Sequence, residues 1–412
     1  MKNLRLPFML LSLAWLTFSC SENDPMPSAS QSLAELEGEY VRLAVIAGNN
    51  QMMVMDPVTE EATFTVNEPL TDGARYYVSP TGRYLVSIER AQNRTRFFDA
   101  GIVNHTDHGH EYAAVWLDNT ITSPTPTHYS ATGDDMVLFN DGDGSIVHIE
   151  ESRLEAPNYV PPVIPLANQT KHHGAVVRLD NGLFAATFQH DTVTKDVLPQ
   201  MVKLVDEQGQ VQFENDAVQV GRIHGNASNG KVALFGGTEG VIAAYDNQTM
   251  ALIPNLEGMN AERGNWIGTV EGHDNLDVFY GRAGALGLYR IDPADQSMTQ
   301  FYEGDDVAEF FFSEDGTYLI VHKAVSETSG EIVIYNAASG SQVAQTSFSV
   351  VKDDPERVLT ASSELLYVLE PSQTEISVLK LSDLSSVKTI TLDAPVEAIH
   401  RVGFHRKANE SY

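Results

Sequence analysis

From about residue 40 onward, short runs of β-branched and aromatic residues alternate with Gly, Asp, Asn and Ser. Runs of that length bounded by turn residues predict strands, and no long helical period interrupts them. "YYVSPTGRYLVSIE" (76–89) and "FFFSEDGTYLIVHK" (310–323) both read as strand, Ser-x-x-Gly turn, strand. "RTRFFDA" and "GEIVIYNAASG" add a third strand to each. The same pattern returns in "TGDDMVLFNDGDGSIV", "NASNGKVALFGGTEGVIAAYD" and "SSELLYVLEPSQTEISVLKLSDL".

A repeat of roughly forty residues with four strands predicts the blade of an all-β propeller. One blade cannot bury both of its faces, so blades stack around an axis. Inner strands are expected near Tyr77, His128, His173, His224, Trp266, Phe310 and Leu359. The C-terminal "VEAIHRVGF" has no strands after it, and the N-terminal "RLAVIAGNNQMMVMDP" has no inner strand before it. Joined, they make one more blade. The expected architecture is therefore a single propeller over residues 38–405, eight-bladed with seven as the alternative, closed by pairing the two ends.

The first twenty residues stand apart. Lys2 and Arg5 precede an apolar run from Leu6 to Phe18, and then come Ser19 and Cys20. The run is short for a membrane span and reads as a targeting segment. The chain's single cysteine sits at this junction, followed by a polar Ser/Pro/Glu stretch over 21–37. The arrangement resembles a bacterial lipoprotein leader, which implies lipidation at Cys20 and a mature protein held to a cell-envelope membrane through its lipid alone. Orientation toward the periplasm or the cell surface stays open. Residues 406–412 read as a tail. A mature domain without cysteine has no disulfide framework and no thiolate metal site, so any metal must be held by His, Asp or Glu.

Charge narrows the partners. The 412 residues carry 56 Asp+Glu against 26 Lys+Arg, a net charge of −30. A nucleic-acid binder needs a basic face to replace phosphate counterions, and anionic lipid asks for the same. Both are excluded as charge-driven partners, whereas cations are favoured.

Three consecutive units place a histidine at the head of the inner strand: His128 in "PTHYSATGDDMVLFND", His173 in "KHHGAVVRLDNGLFAAT" and His224 in "RIHGNASNGKVALFGG". Inner strands line the central channel, so equivalent positions on adjacent blades converge. Three imidazoles so placed supply what a tetrahedral zinc site needs. Trp266 breaks the series in the next unit. A second cluster, His105, His108 and His110 in "NHTDHGHEY", has neighbouring Asp107 and Glu111. Gly109 and Asp107 disfavour helix there, so the spacing is that of a loop. Alone it fits a solvated polar turn as well as a metal loop. Next to the three strand heads it reads as an accessory loop that recruits or releases metal at the channel mouth. His148, His322 and His405 read as structural, and His190 and His273 as intermediate.

Taken in order, the His-rich loop, "THY", "HHG", "HG" and "EGHDN" resemble the AztD family of periplasmic zinc chaperones, over residues 40 to about 300. The resemblance implies a propeller that binds zinc and hands it to the solute-binding protein of a zinc ABC importer. It implies His128, His173 and His224 as zinc ligands and His105, His108 and His110 as a second or accessory site. The lipoprotein-like leader departs from the soluble periplasmic form of that family. Two other classes stay open. One is a metal-dependent hydrolase of the lactonase-propeller kind, against which no "GxSxG" or "HExxH" pattern occurs. The other is a metal-free interaction scaffold. Imidazole suits zinc, copper and nickel alike.

Overall fold

The computed structural model describes residues 40–47, 51–66, 70–104, 109–168, 170–193, 197–326, 329–349 and 358–404. The leader with Cys20, the tether, the tail, His105, His108 and His405 lie outside the described residues. Among those described, no helix is long and apolar enough to cross a membrane.

Among the described residues, eight four-stranded antiparallel sheets form a ring, with two short 3₁₀ turns and an added two-stranded hairpin. Numbered by inner strand, blade 1 begins at Arg75–Val78, blade 2 at Pro126–Thr132 and blade 3 at Val176–Arg178. Blades 4 to 7 begin at Ile223–Ser228, Thr269–Glu271, Val307–Phe312 and Leu359–Ala361. Blade 8 joins the ends: Val396–Gly403 is its inner strand and pairs antiparallel with Val41–Ala47, which pairs with Gln51–Met55. The eight-bladed expectation and its closure by the two termini are both met.

Five of the anticipated inner positions fall within inner strands, while His173 and Trp266 lie three residues ahead of Val176 and Thr269. The reason in blade 3 is local. The Ala175 amide donates to the Thr187 hydroxyl at 2.8 Å, and the Thr187 amide donates to the Ala175 carbonyl. A side chain thus takes a bond that the backbone ladder would have made, and regular pairing begins only afterwards.

The second strands carry the core. Tyr84–Glu89, Phe184–Phe188, Val232–Gly237 and Leu365–Leu369 are buried along their whole length. Outer strands alternate, as Gln342–Phe348 does, because one face meets a neighbour and the other meets water. The buried side chains group between blades rather than within them. Phe98 and Leu85 pack with Ala44 and Met52 between blades 8 and 1, and Phe139 and Val137 with Phe184 and Ala186 between blades 2 and 3. Such clusters bridge every neighbouring pair around the ring. At roughly 25 cal/mol per Å² of apolar area, closure is driven by what each blade hides against the next.

The Ser-x-x-Gly turn repeats down to its hydrogen bonds. In blade 1 the Gly82 amide donates to the Ser79 carbonyl at 2.9 Å and the Tyr84 amide to the Ser79 hydroxyl at 3.0 Å. In blade 6 Gly316 and Tyr318 do the same to Ser313 at 2.9 and 3.0 Å. Both glycines have positive φ, 77° and 72°, which is why the turn asks for glycine.

Candidate metal centre

Inner strands run from one face of the ring to the other, so their leading ends share a face. His128 is the third residue of its strand, His224 the second, and His173 precedes its own. Glycine follows two of them. A Cβ on Gly174 would overlap the Phe139 ring, and one on Gly225 would overlap the backbone at Gly268 and Thr269. Only a residue without a side chain lets these heads draw so near their neighbours.

The three rings meet. Centroids lie 4.6 Å apart for His128 and His173, 5.6 Å for His173 and His224 and 5.9 Å for His128 and His224. Their ligand nitrogens all fall within 4.8 Å of one another, the one group of three metal-ligating side chains so placed among the described residues. Tetrahedral zinc with Zn–N bonds of ~2.0–2.1 Å needs nitrogens about 3.3 Å apart, within reach of small ring rotations. A cleft of about 10 Å³ lies between the rings, roughly the space of one water-sized body.

The tautomers follow from the partners. His173 Nδ1 lies 2.8 Å from Asp141 Oδ2. Burial works against ionising Asp141, but hydrogen bonding from His173 and the charge of Arg90 outweigh it and hold its carboxyl below the usual range. An ionised carboxylate only accepts, so His173 Nδ1 carries the proton and Nε2 is left as a lone pair. His224 Nδ1 donates to the Gly268 carbonyl at 2.8 Å, which likewise leaves its Nε2 free to ligate. His128 Nε2 sits 3.0 Å from His173 Nε2. With His173 accepting, His128 donates, and a metal ion would take the place of that proton. Burial, then the neighbouring His173 and His224 rings, push His128 down to about 3. It is therefore neutral, as a ligand must be. The residues fit a histidine-held transition metal: three imidazoles whose ligand nitrogens converge, two of them fixed from behind by acceptors.

Asp141 is the residue that sequence reading passed over. It directly follows the second strand of blade 2, Asp135–Asn140, on the same face as the inner-strand heads, and the Arg90 guanidinium holds it at 2.9 Å. Its signal was present in "FNDGDG", but nothing local tells which of those acids faces the next blade. His172, beside His173, is wholly buried and donates from Nδ1 to the Thr170 carbonyl at 2.8 Å, with Thr187 at its other nitrogen. It braces the turn. His148 pairs with Asp135, and His273 donates to the Glu314 carbonyl at 3.0 Å. His322 is fully buried with neither ring nitrogen hydrogen-bonded.

The described part of the histidine loop lies elsewhere. His110 is exposed on the hairpin strand Gly109–Glu111, which pairs with Ile102–Asn104 between the third and fourth strands of blade 1. Third-to-fourth connections lie on the face opposite the inner-strand heads. The contacts agree: Tyr40 packs at Gly109, Arg42 pairs with Glu111 at 3.0 Å, and Tyr40 stacks on Phe404 beyond the tail of the blade 8 inner strand. The channel between is bridged below the histidines, where Asn226 donates to the Ser130 hydroxyl at 2.8 Å and the Gly133 amide to Asp274 at 3.0 Å. His110 and the three converging histidines are thus not at one mouth, because strand direction alternates within a blade.

No family model matches the chain. Among solved structures it is similar to AztD from Citrobacter koseri in its apo form, with a TM-score of 0.72 and 18% identity over 88% of this chain and 98% of that one. It is also similar to the dihydro-heme d1 dehydrogenase NirN in complex with DHE, with a TM-score of 0.55 and 15% identity over 92% and 78%. A third similarity is to Chaetomium thermophilum Sqt1 bound to the N-terminus of ribosomal protein L10, at 0.52 and 11% over 89% and 93%. At these identities the likeness is one of fold, and the fold of this chain is that of an AztD-like β-propeller.

Proposed function

We propose that this protein is a zinc-binding metallochaperone, which holds the ion at His128, His173 and His224 and delivers it to the solute-binding protein of a zinc ABC importer. The observation that carries the reading is the convergence of three imidazoles whose ligand nitrogens all lie within 4.8 Å of one another. An all-histidine set favours zinc over Mg²⁺ and Ca²⁺, which demand oxygen. Three protein ligands leave a tetrahedral ion one open position. An open position suits a carrier, because an acceptor's ligand can bind before the donor's release. Transfer, rather than turnover of a substrate, is the task assigned to it.

Lipidation at Cys20 would hold this propeller to a cell-envelope membrane. His105, His108 and His110 would form an accessory capture site of their own. Since His110 lies on the opposite face, that site exchanges metal with solvent or partners independently of the three-histidine centre.

The test is elemental analysis of the mature domain before and after chelation, near neutral pH. One zinc per chain that is lost when His128, His173 and His224 are all changed to Ala is the expected result. A metal-free protein, or unchanged affinity in the triple variant, overturns the proposal.

A further inference from the structure

Arg90 begins the short 3₁₀ turn Arg90–Gln92, between the second and third strands of blade 1. From there its side chain crosses to blade 2. One nitrogen, Nη1, donates to Asp141 Oδ2 at 2.9 Å and also to the Thr127 hydroxyl. Asp141 Oδ2 is the same oxygen that accepts from His173 Nδ1 at 2.8 Å, and Thr127 precedes His128. The guanidinium thus touches the group behind one ligand and the residue beside another. Its charge is not taken up by the adjacent Glu89, whose carboxylate is matched by Arg94 and Arg96.

The segment that leads into blade 2 is fixed without the Arg90 side chain. Asn93, at the end of the same turn, and the backbone hold it. The Thr125 amide donates to Asn93 Oδ1 at 2.8 Å and the Ser123 amide to the Asn93 carbonyl at 3.1 Å. The Asp141 and Gly142 amides donate to the Thr125 and Pro124 carbonyls, both at 3.0 Å. Thr125 is thereby kept at φ 56°, which a β-branched residue before proline rarely adopts. With that clamp in place, what the Arg90 side chain adds is charge.

A carboxylate behind a metal-bound imidazole strengthens the ligand, because it draws on the Nδ1 proton and leaves Nε2 more basic. A cation on the same carboxylate oxygen offsets part of that negative charge. We propose that Arg90 lowers the zinc affinity of the three-histidine centre by competing with His173 for Asp141, and so keeps the ion transferable. This rests on the proposed zinc function. A purely structural role has the opposite sign: if Arg90 only held Asp141 in place, its loss would loosen the ion.

The experiment measures zinc affinity by competition with a chromophoric chelator, and the rate at which bound zinc passes to excess chelator. Circular dichroism and melting curves report on folding. Arg90→Gln is expected to bind zinc about tenfold more tightly and to release it more slowly, an effect at the lower end of what a supporting carboxylate contributes. Arg90→Lys restores a charge and should return both quantities toward those of the parent. In an Asp141→Asn background, Arg90→Gln should change affinity by less than about twofold, since the group that couples it to the ligand is gone. Weaker or unchanged binding by Arg90→Gln, in a protein that still takes up stoichiometric zinc, overturns this proposal alone. So does equal tightening with and without the Asp141 carboxylate. A parent protein that takes up no zinc overturns the metallochaperone reading, and this proposal with it.

Discussion

Two halves of the ring are built from one repeat and end up with different chemistry. In blades 2 to 4 the inner strands lean together until three imidazoles touch, and side-chain hydrogen bonds cross the channel beneath them. In blades 6, 7, 8 and 1 the inner strands line a cavity of about 440 Å³. Core packing does not separate the halves, since clusters of Val, Ile, Leu and Phe join the blades of both. The difference lies at the leading ends. "HHG" and "HG" put a ligand and a glycine together, so the head can approach its neighbour. Arg75 and Glu309 sit on the inner strands where the other half has histidine, and both line the cavity. One scaffold gives a closed centre and an open one according to two or three residues per blade.

Changes that break the histidine half should have the largest effect. Replacing His128, His173 and His224 together by Ala is expected to abolish stoichiometric zinc while the circular dichroism and melting curve persist; retained zinc by elemental analysis would refute the assignment. Next comes a change that should treat the halves alike. Leu234→Ala in blade 4 and Leu366→Ala in blade 7 each truncate a wholly buried side chain. Each should cost about 2–5 kcal/mol in denaturant unfolding, and a cost confined to one half would show that the ring is not held evenly.

Asp141→Asn sharpens the comparison from behind the ligand. It keeps the shape but removes the charge that fixes the His173 proton on Nδ1. Loss of such a supporting carboxylate lowers metal affinity by roughly 10–100-fold. A competition titration with a zinc indicator reads it, and an unchanged Kd would dismiss Asp141 as a contributor.

The pH response compares one imidazole from each half. Burial, with the His173 and His224 rings, pushes His128 down to about 3, and burial pushes His322 down to about 4. Both folded values lie below the ordinary ~6.5 of the unfolded chain. In that window the unfolded chain binds more protons, so stability is full above about 6.5 and falls as pH drops toward these values. His322→Phe removes a titrating ring outside the metal centre, and the metal-free variant should lose less melting temperature between pH 8 and pH 5 than the parent. An identical loss would show that His322 does not titrate on unfolding. The smallest effect is expected from deleting residues 105–110. The described flanks lie on the opposite face, so the Kd of the three-histidine centre should change by less than about twofold in the same indicator titration. A large loss would mean that the loop supplies a ligand to that centre.

Much of this was legible in the chain. The repeating strand runs and Ser-x-x-Gly turns specified blades, because each turn is closed by its own Ser and Gly. The unfinished units at the two ends pointed to an eighth blade, with seven left as the alternative. The three histidines could be aligned because the repeat places them at one register. What the repeat could not convey was depth and partner. Asp141 is one of several acids in its turn, and only the packing of blade 2 against blade 3 brings it to His173. His172 and His173 are adjacent, and only the tertiary partners tell which one braces the backbone at Thr170 and Thr187 and which one meets Asp141 at the channel.

The sequence by itself therefore determined the blade repeat, the order of the blades and the position of five of the seven anticipated inner strands, since these depend on local turn chemistry and on period, while His173 and Trp266 fell ahead of theirs. Tertiary structure decided which heads meet, which line a cavity, and that His110 faces away from His128, His173 and His224. Those are consequences of strand direction and ring closure, which bring together residues 45 and 96 positions apart as firmly as neighbours, as the bonds of His128 to His173 and of Ser130 to Asn226 do.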